Sequence, residues 1–148
     1  MVSPPLDRLV DTFWESVPPS WHRTRSVIRR IANEKFQMST VQFQTLRRIR
    51  KGFNSVSALA EEGHISRPAV SRIVDTLVQK GWVSRQINPA DRRQQHLQLT
   101  PDGERVLSAI YADAEIWLQE RFGRLSEQEQ QSLLHGMELL KKAFLEQL

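Results

Sequence analysis

Apolar residues recur along this chain at intervals of three and four, with one stretch that alternates instead, and the switch of period sets out the elements. Leu6, Leu9, Val10, Phe13, Trp14 and Val17 mark a first helical stripe, which Pro18-Pro19 interrupts. Proline lacks the amide proton and its ring clashes with the preceding turn, so a helix is expected to end or kink there. The stripe from Trp21 through Val27, Ile28 and Ile31 to about Asn33 is then either its kinked continuation or a separate helix. Met38-Ser39-Thr40 offers a cap for a helix with Val41, Phe43, Leu46 and Ile49 on its apolar side, ended by Gly52 after the basic run Arg47-Arg48-Ile49-Arg50-Lys51. Asn54-Ser55 opens a short helix in which Val56, Leu59 and Ala60 pack. Gly63 is its expected stop, and Gly63, His64 and Ile65 form the turn.

The next helix starts at Ser66, whose hydroxyl can accept from the free amides of the first turn, while Ile65 is placed to staple against Val70. Its expected buried side is Val70, Ile73, Val74, Leu77 and Val78. That leaves Arg67, Pro68, Ala69, Ser71, Arg72, Asp75 and Thr76 toward solvent, and Gly81 closes the helix. Trp82–Ile87 and Gln95–Leu99 alternate as strands around an Asn88-Pro89 turn and an Arg-tipped loop at Asp91-Arg92-Arg93. Thr100 caps a further helix with Pro101 at its first position, running to Phe122 with Val106, Leu107, Ile110, Ala114 and Trp117 on one stripe. Ser126 and Glu129 make a capping box for the last helix, where Leu133, Met137, Leu140 and Phe144 form a narrow seam. Such a seam is shared with a second helix or covers the protein's own core.

Helix, basic hairpin, helix in that order describes a winged helix-turn-helix, mainly α with a two-stranded β-wing. The charge distribution agrees. The chain carries a net +4, but Arg23 to Arg93 holds 15 Lys and Arg against 5 Asp and Glu, leaving both ends acidic. A polyanion is drawn to such a middle because neutralising phosphates releases condensed counterions. Basic residues also simply solvate helix faces, and in a last turn they complement the helix dipole. With 148 residues, 39% of them apolar, the chain suits one domain of elongated shape or an obligate dimer. It has no cysteine, which excludes disulfides, thiolate metal sites and thiol redox switches. No leader-like segment opens it and no long apolar run occurs, so a cytoplasmic protein without a membrane partner is expected.

The chain resembles the MarR family of bacterial regulators, named for multiple antibiotic resistance, over nearly its whole length. The matching residues are Gln42-Phe43 and Leu46, Ser66 through Leu77, Gly81-Trp82-Val83 and Arg85 entering the wing, Asp91-Arg92-Arg93 at its tip, and Leu99-Thr100-Pro101-Asp102-Gly103 leaving it. It departs from the commonest pattern at Pro18-Pro19. The resemblance implies a single domain over 1–148. A DNA-binding lobe at 36–100 is flanked by helices at 1–35 and 101–148 that interleave into a homodimer on a pseudo-palindromic site. The dimer residues expected are Leu6, Leu9, Val10 and Phe13 with Leu133, Met137, Leu140 and Phe144. In a family-like pose Ser66, Arg67, Pro68, Ser71 and Arg72 meet the major groove, where Arg gives two parallel bonds to guanine, Ser a single bond, and Pro an apolar contact to a thymine methyl. Arg93 enters the minor groove with Asp91 fixing its aim, and Arg92, Arg85 and Ser55 meet phosphates or brace the wing. The expected function is a DNA-binding transcriptional regulator, in the first instance a repressor, since a dimer seated on a promoter blocks polymerase with no added contact. The resemblance also implies release by a small amphipathic or phenolic ligand, for which Trp21, His22, Arg25, Trp82 and Trp117 are candidates; aromatic residues at helical spacing are more often core.

Two other classes compete. An enzyme is disfavoured because the chain has no nucleophile elbow, Gly-rich phosphate loop or His-Glu-x-x-His, and His22, His64, His96 and His135 are isolated in sequence; no cofactor or metal is expected. A winged-helix protein-interaction module without DNA binding commonly loses basic residues on recognition helix and wing, whereas Arg67, Arg72, Arg92 and Arg93 are retained.

Overall fold

The computed structural model describes residues 4–146, the side chains of Pro4, Arg92 and Gln94 excepted. Its elements are α1 (Pro4–Phe36), α2 (Thr40–Arg50), α3 (Val56–Gly63), α4 (Arg67–Gln79), β1 (Val83–Asn88), β2 (Asp91–Leu99), α5 (Pro101–Phe122) and α6 (Glu127–Leu145). The fold is mainly α with one two-stranded antiparallel sheet. Contacts divide the chain into Met1–Ala112 and Asp113–Leu148, with the boundary inside α5.

In the first unit α1 is one continuous helix of 33 residues, with Pro18 and Pro19 inside it. Of the two alternatives left by the apolar pattern, a single element is the one formed. Both prolines are exposed, as are Trp14 and Glu15, whose carbonyls lose their helical partners, so water can satisfy them. The helix ends at Gln37, a left-handed residue with φ 51°.

The capping reading of α2 holds and goes further than expected: Gln42 N donates to Ser39 Oγ at 3.2 Å, and Ser39 N donates to Gln42 Oε1 at 3.0 Å, a full capping box. Phe43, Leu46 and Ile49 are buried, and Gly52 leaves the helix at φ +104°. α3 ends at Gly63, as expected. His64 takes the left-handed position at φ 52°, and a Cβ added to Gly63 would meet an Arg48 guanidinium nitrogen at 2.9 Å.

In α4 Val70, Val74 and Leu77 are buried; Ile73 and Val78, also expected inside, are only half-buried. The hairpin differs in extent. Trp82 lies before β1, and β2 begins at Asp91, so only Pro89 and Ala90 separate the strands and Asp91-Arg92-Arg93 belongs to β2 and not to a loop. Val83 to Ile87 pair in step with Leu99 to Gln95, after which the register jumps so that Asn88 faces Asp91. Residues 92–94 are thereby bulged out, which breaks the alternation by which a strand is read. Leu97 N donates to Asn54 O at 2.7 Å and ties β2 to the entrance of α3.

The junction into α5 is tight. Thr100 N donates to Trp82 O at 3.0 Å, Gly103 N donates to Thr100 Oγ1 at 3.0 Å, and a Cβ on Gly103 would lie 2.1 Å from the Trp82 carbonyl oxygen. The core of this unit holds Met38, Leu46, Val70, Val74, Leu77, Leu97, Leu107 and Ile110, each under 2% exposed. In the second unit the Ser126–Glu129 capping box starts α6 as predicted, and none of its described residues is buried.

Candidate nucleic-acid interface

The first two turns of α4 are set by local chemistry. Ser66 accepts from Ala69 N at 3.3 Å, and Pro68 sits in the first turn, where no amide is needed. Burial of Val70, Val74 and Leu77 on one side leaves Arg67, Pro68 and Arg72 exposed and Ser71 half-buried on the other. Among the described residues neither Arg67 nor Arg72 enters an ion pair, so both guanidinium forks are open to a ligand.

The wing tip is organised by two acceptor side chains. Asn88 Oδ1 accepts from Ala90 N, and Asp91 Oδ1 accepts from Arg93 N, each at 3.0 Å. Asp91 was expected to aim the Arg93 guanidinium; its described bond instead holds the main chain entering Arg93, whose side chain is exposed. The side chain of Arg92 lies outside the described residues. Arg85 on β1 makes an ion pair and hydrogen bond with Asp75 on α4, so the wing is tied to the helix beside it. The Arg85 side chain is 27% exposed, and among the described residues its buried Nε has no partner. Ser55 caps α3, accepting from Ala58 N at 3.1 Å.

Between the start of α3, α4 and the wing lies an open cleft of about 870 Å³. It brings together Ser55, Ser71 and Arg93, which the sequence singled out, with Ser57, Gln86, Gln95 and His96, which it did not. The missed signal was strand alternation: Leu97 is 1% exposed, so its neighbour His96 faces away from the core.

The ligand-pocket candidates are Trp21, His22, Arg25, Trp82 and Trp117. Trp21, His22 and Arg25 are exposed on α1, with the Arg25 guanidinium 6.0 Å from the Trp21 ring. Trp82 meets Phe36 edge-on at 6.4 Å and has Lys80 Nζ 4.8 Å from its ring centroid. Trp117 is half-buried in the second unit, under Arg121 at 5.2 Å. Among the described residues no hydrogen bond or ring contact joins Trp21 or Arg25 to Trp82. The expected dimer residues are largely uncovered: Leu6, Leu9, Val10, Leu133, Met137 and Phe144 are exposed, while Phe13 and Leu140 are half-buried.

A helix with open arginine forks, joined by an ion pair to a basic hairpin, defines the chain as a winged helix-turn-helix protein. Residues 38–94, from the cap of α2 to the wing, match the MarR family model. That match spans 57 of the 148 residues and makes this lobe similar to MarR-family transcriptional regulators. It is 28% identical over 110 residues to YfiV of Bacillus subtilis, named an uncharacterized HTH-type transcriptional regulator, an alignment covering 74% of this chain and 69% of that protein. The fold is that of the transcriptional regulator Tm0710 from Thermotoga maritima, with a TM-score of 0.77 at 20% identity, covering 95% and 94% of the two chains. It is also that of a MepR variant from S. aureus solved with an oligodeoxyribonucleotide, with a TM-score of 0.71 at 17% identity, covering 88% and 96%. The relatives it matches in sequence are named transcriptional regulators, which supports a DNA-binding regulator. No helix among the described residues is long and apolar enough to cross a membrane.

Proposed function

We propose that the protein is a homodimeric repressor that reads a pseudo-palindromic operator in the cytoplasm, placing α4 in the major groove and the wing in the adjacent minor groove. The observation that carries this reading is the pair of exposed, unpaired arginines on the first turns of α4, Arg67 and Arg72, tied through Asp75–Arg85 to a wing that presents Arg93. Arg67 and Arg72 read guanines, Ser71 and Pro68 add single contacts, and Ser66 and Ser55 hold phosphates. Residues 36–100 act as the DNA-binding lobe, and 1–35 with 101–148 supply the dimer. Two-fold symmetry sets the half-sites about 34 Å apart, one turn of B-DNA. Support for DNA as the partner comes from the basic middle of the chain and from the MepR relative solved with an oligodeoxyribonucleotide. A phenolic or amphipathic anion that releases the operator fits the exposed Arg25–Trp21 pair.

The test is selection of fragmented genomic DNA by the purified protein beside Arg72→Ala and Arg93→Ala. A pseudo-palindrome retained by wild type, released by aromatic carboxylates and weakened by about 1–3 kcal/mol in each variant, is expected. Equal, unspecific retention by all three proteins would instead point to a winged-helix interaction module.

A further inference from the structure

The cleft between the start of α3, α4 and the wing adds to groups already assigned to DNA one that those contacts do not use, the His96 imidazole. Its described lining offers hydroxyls from Ser55, Ser57 and Ser71, an amide from Gln86, the Arg93 guanidinium and the His96 imidazole, and no carboxylate. His96 is fixed at the joint of wing and helix. It pairs across the hairpin with Gln86, and the next amide, that of Leu97, donates to Asn54 O at 2.7 Å, directly before the Ser55 cap. A duplex with α4 in its major groove and the wing in the adjacent minor groove must carry the sugar-phosphate strand that separates those grooves across this gap.

We propose that the cleft seats a phosphodiester of that strand and that His96 takes up a proton from solvent when it does. The inference rests on the DNA-binding reading above. A neutral imidazole offers one donor; the imidazolium offers two and a charge, so a phosphate selects the protonated form. The surrounding charges leave DNA as the anion that acts on it. In the cleft the other described ionisable group is Arg93. On β1 Arg85 is paired with Asp75 of α4. On β2 the Asp91 carboxylate holds the Arg93 amide. On α2, packed against β2, the charged residues are Arg47, Arg48 and Arg50, and on α3 the exposed Glu61 and Glu62 are not part of the lining. Linkage fixes the sign: a proton bound in the complex and absent from the free protein makes affinity rise as pH falls through the neutral range.

The experiment uses a fluorescein-labelled duplex of about 30 base pairs, long enough for two half-sites, taken from genomic fragments that the protein retains. Binding is titrated at pH near 6 and near 8 at constant salt, with calorimetry in two buffers of different protonation enthalpy. Wild type and His64→Gln, altered at the far end of α3, should take up a fraction of a proton, about 0.25 to 0.5 averaged between the two pH values, and bind about three- to tenfold tighter at the lower pH. His96→Gln, which keeps a donor but cannot titrate, should still bind and lose both effects. Binding with no proton uptake, or with the same uptake in His96→Gln, would overturn the proposal while leaving the DNA-binding reading standing. Retention of no duplex even at low salt would overturn that reading and the proposal with it.

Discussion

At the residue scale, the positions legible in the sequence are those whose reasons are local. Ser66 and Ser126 were readable as caps because a hydroxyl three residues before an amide needs nothing from the rest of the chain. Arg67 and Arg72 were readable as exposed because the apolar period of α4 fixes its other side. Gly103 is the opposite case. It is the last residue of the Leu99–Gly103 run leaving the wing, but its reason is the Trp82 carbonyl, 2.1 Å from where its Cβ would stand, and that neighbour arrives only through tertiary structure. The same carbonyl accepts from Thr100 N, so it cannot retreat without loosening the cap of α5. Gly103→Ala should therefore destabilise the fold by about 1–3 kcal/mol. Urea titration followed by tryptophan fluorescence checks this, and an unchanged midpoint would mean that the junction yields freely. His96 was missed at this scale because it looked like one isolated histidine among four.

At the scale of elements, existence was legible and extent was not. The alternation from Trp82 to Ile87 and from Gln95 to Leu99 located the hairpin, yet β2 begins four residues earlier, at Asp91. The bulge at residues 92–94 erases the period-two signal between two paired stretches of the backbone. Pro18-Pro19 left two alternatives open, and the structure takes the single element: a 33-residue helix carries both prolines where the freed carbonyls lie on an exposed stretch. Among the described residues the ion pair that joins α4 to β1 is Asp75–Arg85. Both groups are partly solvated, so its coupling energy should be modest, about 0.5–1 kcal/mol in a double-mutant cycle. Its effect on binding should be indirect. If the pair acts by holding the wing against α4, Asp75→Ala weakens DNA binding through Arg93, and the loss shrinks when Arg93 is already Ala. Equal losses in the two backgrounds would assign Asp75 a role independent of the wing.

At the scale of the whole molecule, spacing along a helix says that a stripe will be covered but not by what. Val106, Leu107 and Ile110 on α5 and Leu133, Met137 and Leu140 on α6 repeat at similar intervals, but the first three are at most 6% exposed while Leu133 and Met137 are 37% and 46% exposed. The seam of α6 is thus not spent on the protein's own core, one of the two uses open to it from sequence. The start of α1 is in the same condition, with Leu9 65% and Trp14 66% exposed. Monomeric proteins seldom expose long apolar stripes without a partner, and a two-fold partner would place the two wings symmetrically on one duplex. Leu133→Glu with Met137→Glu puts like charges on the seam of each protomer at a self-complementary face, where desolvated carboxylates have no counterion. The variant should sediment as a monomer at micromolar concentration, keep its helical circular dichroism, and lose at least about tenfold in operator affinity, as each half-site then binds alone. A variant that remains dimeric with unchanged affinity would remove α6 from the interface and leave the exposed face of α1 as the surface to test.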